Sequence, residues 1–151
     1  MVWAATGLTA ADPAQFPYLP DGLDLGSSVA IDCETMGLVP GRDRLCLVQL
    51  SSGDGNAHLV QISKGQTSAP NLERLISDPN VLKLFHFGRF DIAAMYNAFG
   101  VLTAPVYCTK IASRLVRTYT DRHGLKVLLQ ELLNVDISKK TRVDGLHSSG
   151  I

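Results

Sequence analysis

Two carboxylates two residues apart, Asp32 and Glu34, close an apolar run in the stretch Ala30-Ile-Asp-Cys-Glu-Thr-Met-Gly-Leu38. In an extended strand residues i and i+2 point to one face, with Cβ atoms about 6–7 Å apart, so these acids project side by side. Like charges so placed repel, and more strongly as water is excluded. A hard divalent cation relieves that repulsion, and carboxylate oxygens suit Mg2+ or Mn2+ far better than softer metals. The plainer reading is an exposed strand end with two solvated acids. A third acid weighs against it: Asp91, in "LFHFGRFDIAAM" (84–95), falls in the first turn of an expected helix directly after a buried strand, with His86 and Arg89 ahead of it. An acid there also suits the helix dipole, worth about 0.3–1 kcal/mol. A strand followed by a helix, however, returns its acid to the same edge of the sheet as the next strand, and the two stretches together are more specific than either.

The elements that must position these acids are legible in the pattern. "SSVAIDCE" (27–34) and "RLCLVQLSS" (44–52) are apolar, β-rich runs joined by "TMGLVPGRD", whose Gly37, Pro40 and Gly41 suit a hairpin-like connection. "NAHLVQI" (56–62) adds a third strand, completing an antiparallel meander. From residue 70 the period changes. A short helix in "APNLERLISDPN", a strand in "VLKLFHF" (81–87) and a helix in "GRFDIAAMYNAFG" (88–100) follow, the last with Ile92, Met95, Tyr96 and Phe99 on one stripe and Gly100 at its end. "APVYC" then reads as a strand, "TKIASRLV" and "GLKVLLQELL" as helices, with Leu125, Leu128, Leu129 and Leu132 on one face of the latter. A meander followed by alternating helix and strand predicts an α/β domain, a mixed sheet flanked by helices.

Composition narrows the function classes. With 151 residues, 46% of them hydrophobic, the chain suits one globular domain. No run approaches the roughly 18 apolar residues of a membrane span, and the N-terminus lacks the basic segment of a signal peptide. Cys33, Cys46 and Cys108 are odd in number, widely spaced and without CxxC pairing, which argues against disulfides and zinc and for a reducing, cytoplasmic setting. Net charge is zero but uneven. Residues 1–41 hold five acids and no Lys or Arg, whereas the other 110 residues set fourteen bases against nine acids. Eight bases lie within 110–142 (Lys110, Arg114, Arg117, Arg122, Lys126, Lys139, Lys140, Arg142) against three acids. That run reads as a solvated helical surface, or as a basic flank that draws a polyanion toward the acids.

With "IDCETMGL" as a first motif, "HFGRFDI" as a second and "RLCLVQLS" as the strand between, the chain resembles the DEDD 3′–5′ exonucleases, in particular the ribonuclease D branch with its ribonuclease H-like fold. "CTKIASRLV" and "HGLKVLLQELLNVDISK" look like the helices that follow in that family. The resemblance covers 27–139. The resemblance makes 27–139 an incomplete exonuclease domain, beside an irregular lead-in over 1–26 punctuated by Pro13, Pro17, Pro20 and Gly22 and a tail over 140–151 whose lack of apolar periodicity predicts disorder. It further implies two divalent metal ions, Mg2+ or Mn2+. Asp32 would bridge them, Glu34 would complete the first shell and Asp91 would serve the second. Thr35, Met36 and Leu38 would cradle the terminal nucleotide, and His86 and Arg89 would be supporting or phosphate-binding groups. The implied partners are 3′ ends of RNA or single-stranded DNA, with no membrane and no defined oligomeric state.

The family also has a Tyr four residues before an Asp on a late helix. Here the residues four after Tyr18, Tyr96, Tyr107 and Tyr119 are Gly22, Gly100, Ile111 and His123. The expected fold is therefore a C-terminally truncated version, and the expected function is either an exonuclease of reduced turnover or a nucleic-acid-binding module that keeps the acids. His86 and Asp91 also match the HxxxxD spacing of the histidine branch of the superfamily. In that case the fourth carboxylate would have to be Asp43, Asp54 or Asp78, all in turn-like contexts, within a span too short for the helix and strand that branch needs.

Overall fold

A computed structural model describes residues 18–39 and 41–137. The elements run β1 (Ser28–Thr35), β2 (Leu45–Ser51), β3 (His58–Gln61), α1 (Pro70–Ser77), β4 (Leu82–Phe85), α2 (Arg89–Phe99), β5 (Val106–Cys108), α3 (Thr109–Val116) and α4 (Leu125–Leu133). The five strands form one sheet in the order β3-β2-β1-β4-β5. β1 pairs antiparallel with β2, and β2 with β3, whereas β1 and β4, then β4 and β5, are parallel. The expected meander and the parallel strands after it are both present, each joined by a connection its geometry allows.

One face of the sheet carries the core. Val29, Ile31 and Cys33 alternate inward along β1 and meet Val48 and Leu50 of β2, Val60 of β3 and Phe85 of β4. Leu72 and Ile76 of α1 and Met95 of α2 belong to the same buried cluster. Helix α1 opens with Pro70 in its first turn, where no backbone donor is lost, and the Ala69 N–H donates to Glu73 Oε1 at 2.5 Å. Helix α2 ends at Gly100 in the left-handed region (φ 70°), its N–H returning to the Tyr96 carbonyl. Tyr96 itself is exposed, so the stripe on α2 is narrower than its spacing suggests. Lys83 is the unexpected inward residue. Its ammonium is satisfied by the carbonyls of Asp78 (2.5 Å) and Ala104 (2.6 Å), which ties the end of α1 to the segment before β5.

The lead-in from residue 18 to Gly26 has no helix or strand, yet it packs: Leu19 and Leu25 are buried, and Asn71 Nδ2 donates to the Leu19 carbonyl and to Asp21. The tail expected over 140–151, together with Lys139, Lys140 and Arg142, lies outside the described residues. No helix among the described residues is long and apolar enough to cross a membrane.

Candidate active site

The other face of β1 carries Ala30, Asp32 and Glu34, half-buried or exposed. Two irregularities frame the acids. Pairing runs from Glu34↔Leu47 to Thr35↔Leu45, so β2 holds one extra residue opposite the end of β1. Such a bulge bends and twists the strand end, and it explains why Leu45 and Val48, three apart, are both buried. On the other side the parallel ladder to β4 stops at Ala30↔Leu84, leaving a fork between β1 and β4 beyond it. Crevices outside the carboxyl ends of parallel strands, where neighbouring strands diverge, are where open α/β sheets place ligands.

Asp91 enters this fork from the first turn of α2. Its Oδ1 accepts the Cys33 N–H at 3.0 Å, filling a position a longer β4 would have taken. The second motif is thereby fixed to the first across 58 residues of sequence. Burial raises the Asp32 carboxyl above its ordinary value, and the charges of Asp91 and Glu34 push the same way. Burial likewise raises Asp91, with Glu34 adding to it, while the Cys33 N–H works in the opposite direction. The thiol of Cys33 is pushed well above its usual range by burial and then by the same three carboxylates, so it stays protonated. Asp32, Glu34 and Asp91 therefore share one field.

The donor set is all oxygen, which suits a hard dication. Among the described residues no group of three or more His, Cys, Asp and Glu side chains is arranged to hold an ion.

The loop after β1 presents the expected nucleotide contacts. Met36 and Leu38 are 69% and 80% exposed, apolar side chains in water beside the acids. The loop is held from behind. Thr35 Oγ1 donates to the Gly37 carbonyl, and Asp43 accepts the Val39 N–H (2.9 Å) and two bonds from Arg42 (2.7 and 2.8 Å). A Cβ at Gly37 would overlap the Asp43 carboxylate, so a larger residue there would displace that carboxylate from its bonds to Val39 and Arg42.

His86 follows β4, just past the last residue of the strand and two residues beyond the last pair with β1. Its Nδ1 lies 2.9 Å from Thr109 Oγ1, and that hydroxyl donates its one proton to the Phe85 carbonyl. Thr109 must then accept from His86, which puts the proton on Nδ1 and leaves Nε2 as an acceptor. Burial and the Lys110 charge lower the His86 pKa, favouring this neutral form. Arg89 is exposed at the start of α2.

Sequence reasoning missed Thr109, since a hydroxyl opening the helix after β5 carries no periodic signal. It also misjudged the basic run. Arg117 is only 6% exposed: its guanidinium pairs with Glu131 and donates to the Arg122 carbonyl at 3.1 Å, joining α3 to α4. Lys126 pairs with Asp136 at 3.1 Å and Arg122 with Glu131 at 3.6 Å, whereas Arg114 stays exposed on α3. A cavity of about 230 Å3 bordered by Thr35, Arg44, Ile62, Phe90 and Asn97 is lined by none of the three carboxylates and is not where they act.

Residues 11–146 match the family model described as 3′-5′ exonuclease. A ribonuclease D of Gluconacetobacter diazotrophicus is 33% identical over 114 residues, 76% of this chain and 28% of that protein. Brucella melitensis NrnC with bound Mg2+ is 60% identical, with a TM-score of 0.71 over 75% of this chain and 56% of that one. The same protein bound to pGG is 59% identical, with a TM-score of 0.73 over 77% and 57%. Escherichia coli RNase D, an exoribonuclease, is 27% identical with a TM-score of 0.63 over 76% and 30%. The sheet order and these neighbours agree with the ribonuclease H-like fold expected above. The chain spans under a third of the curated ribonuclease D relatives and somewhat over half of the Brucella protein.

Proposed function

Given that the chain belongs to the 3′–5′ exonuclease family, we propose that residues 27–139 are a metal-dependent 3′–5′ exonuclease domain acting on RNA or single-stranded DNA. The observation that carries this reading is the fork between β1 and β4. Asp91 is bonded there to the strand that carries Asp32 and Glu34, and Asp32 and Asp91 titrate high because burial and neighbouring carboxylates oppose ionisation. Asp32, Glu34 and Asp91 would hold two divalent cations, Mg2+ or Mn2+. When bound, such a pair supplies a nucleophilic water and electrostatic stabilisation of the attacking and leaving oxygens. That the Brucella relative has been solved with Mg2+ and with pGG supports both the metal and the nucleic-acid substrate.

The chain's own residues have separable tasks. The Cys33 N–H fixes Asp91 against β1, so the carboxylates keep their mutual placement without substrate. Thr35, Met36 and Leu38 would seat the terminal nucleotide, its base against the two exposed apolar side chains. Arg89, planar and exposed, suits a phosphate, whereas His86, with Nδ1 donating to Thr109, offers an acceptor to a sugar hydroxyl or a base N–H. Lys110 and Arg114 would add the salt-dependent attraction, with Arg117 already committed to Glu131. Cys33, Cys46 and Cys108 are all free, in keeping with a cytoplasmic setting.

The second reading is a nucleic-acid-binding module of low turnover that keeps the fold and the acids. Loss of one preorganised stabilising group typically costs about 10²–10³ in rate. A time course on 5′-labelled single-stranded RNA with Mn2+, run beside melting curves, separates the two. Shortening from the 3′ end that disappears in Asp32→Ala supports the enzyme. A Mn2+-induced rise in melting temperature without shortening, abolished in Asp32→Ala, supports the binding module. Equal melting shifts in wild type and Asp32→Ala would sink the metal site in both readings.

A further inference from the structure

Between His86 and Gly88 the chain does something costly. Phe87 sits at φ +67°, in the left-handed region that a bulky L-residue rarely occupies. Its ring is 53% exposed although the buried core begins two residues away at Phe85. A glycine or asparagine would make the same turn with less strain, so the turn alone does not explain an aromatic there. Strained backbone persists where surrounding structure over-determines it, and such positions concentrate at ligand clamps.

The surroundings do over-determine it. The Phe87 N–H donates to Cys108 Sγ at 3.2 Å, fixing the turn to the end of β5. Gly88 cannot be replaced without cost, because a Cβ there would overlap the Phe85 ring. Lys110 Nζ lies 4.2 Å from the Phe87 ring centroid. Arg114, one turn along α3 from Lys110, and Arg89, two residues after Phe87, are both exposed. An aromatic ring held outward with an ammonium over its face, four residues before a carboxylate of the site and near exposed arginines in sequence, is the combination that single-stranded nucleic acid recognises.

We propose that Phe87 is a stacking platform for one base of a single-stranded nucleic acid, with Lys110 placed beside the adjoining phosphate. This rests on the exonuclease reading and adds to it a subsite on the β4–β5 side of the fork. Stacking a base is worth more than an exposed contact between an ammonium and a ring, so the base can take the ring face and release Lys110 to the backbone. The strain is then a means of keeping the ring out of the core before substrate arrives.

Removing the ring and removing the base test this from both sides. Binding of a five-residue oligoadenylate, and of versions carrying a single abasic residue at each position, is titrated by calorimetry without metal on the full chain. Phe87→Ala is expected to weaken the intact oligonucleotide by roughly tenfold. One abasic position should produce the same loss in wild type and no further loss in Phe87→Ala. Phe87→Trp should retain or strengthen binding. Phe87→Gly relieves the positive φ, so it should melt no lower than wild type yet bind as weakly as Phe87→Ala, which separates the platform from a structural role. If every abasic loss simply adds to that of Phe87→Ala, or if Phe87→Ala binds as wild type does, the platform is wrong while the exonuclease reading stands. If wild type binds no oligonucleotide at all, the platform is wrong and the exposed ring is a contact for something other than nucleic acid, while the exonuclease reading is decided separately by shortening of labelled RNA with Mn2+.

Discussion

Around Cys33 the protein gathers three carboxylates, whereas around Arg117 it sets a guanidinium against Glu131 with a hydroxyl and a carbonyl to complete the shell. Both clusters join elements distant in space or sequence, and both remove charge from water. The Arg117 cluster balances its own charge and needs nothing further to be stable. In the carboxylate fork the charges at close range include like ones: Asp32 and Asp91 titrate high because burial, and then neighbouring carboxylates, oppose ionisation. Carboxyl groups raised in this way cluster at functional sites, whereas an arginine paired to a glutamate serves to join two helices.

The comparison can be broken most easily at its balanced end. Arg117→Ala leaves Glu131 without its main partner and opens the packing between α3 and α4. An expected loss of roughly 2–4 kcal/mol, read from urea unfolding, reflects a pair with one member buried and the other partly solvated. A loss below about 0.5 kcal/mol would mean that the cluster is decoration. Arg117→Lys should recover only part of the loss, because one ammonium cannot serve Glu131 and the Arg122 carbonyl in the same fork.

At the carboxylate end the response should depend on what is removed. Asp91→Ala deletes the acceptor of the Cys33 N–H and is expected to cost about 1–3 kcal/mol, offset in part by relief of repulsion. Asp91→Asn keeps an acceptor and drops the charge, so the metal-free protein should be at least as stable as wild type while losing its stabilisation by Mn2+. Should Asp91→Asn destabilise as much as Asp91→Ala, the carboxylate would be structural after all.

The smallest effect is in pH, and its sign is diagnostic. Asp32 and Asp91 have folded pKa values above the ordinary 3.8, so the folded protein binds protons more readily than the unfolded chain. In chelator, stability from these groups therefore rises as pH falls from neutrality toward 4, and is lost again as pH rises through their raised values. Asp43 works the other way: its carboxyl is held down to about 2, first by Arg42 and then by the Val39 N–H. Its contribution is present above 3.8 and disappears as pH falls through about 2. Asp32→Asn should flatten the upper limb and Asp43→Asn the lower one, each seen as melting temperature against pH.

These clusters differ in how much of them could be read from sequence. Asp32, Glu34 and Asp91 were visible because strand alternation and a strand-to-helix junction are local patterns, and the local patterns agree with the sheet observed. The bulge opposite Thr35 was not visible, because an extra residue in β2 shows only when β1 is laid against it. Charge counting along 110–142 set Arg117 among the solvated bases. Its burial depends on Glu131 arriving from the next helix, a tertiary fact without periodicity. Phe87 passed as one more apolar residue near the end of a strand, since composition carries no information about the sign of φ.

The bond from the Cys33 amide to Asp91 has one more consequence. Backbone amides in the middle of a sheet usually exchange with solvent only when the ladder opens, but this one is shielded by a side chain belonging to α2. Its exchange rate therefore reports the docking of that helix rather than the integrity of the strands. A motion that lifts the first turn of α2 away from β1 would expose a single hydrogen at the centre of the sheet while its neighbours stayed protected, and would separate the carboxylates in the same event.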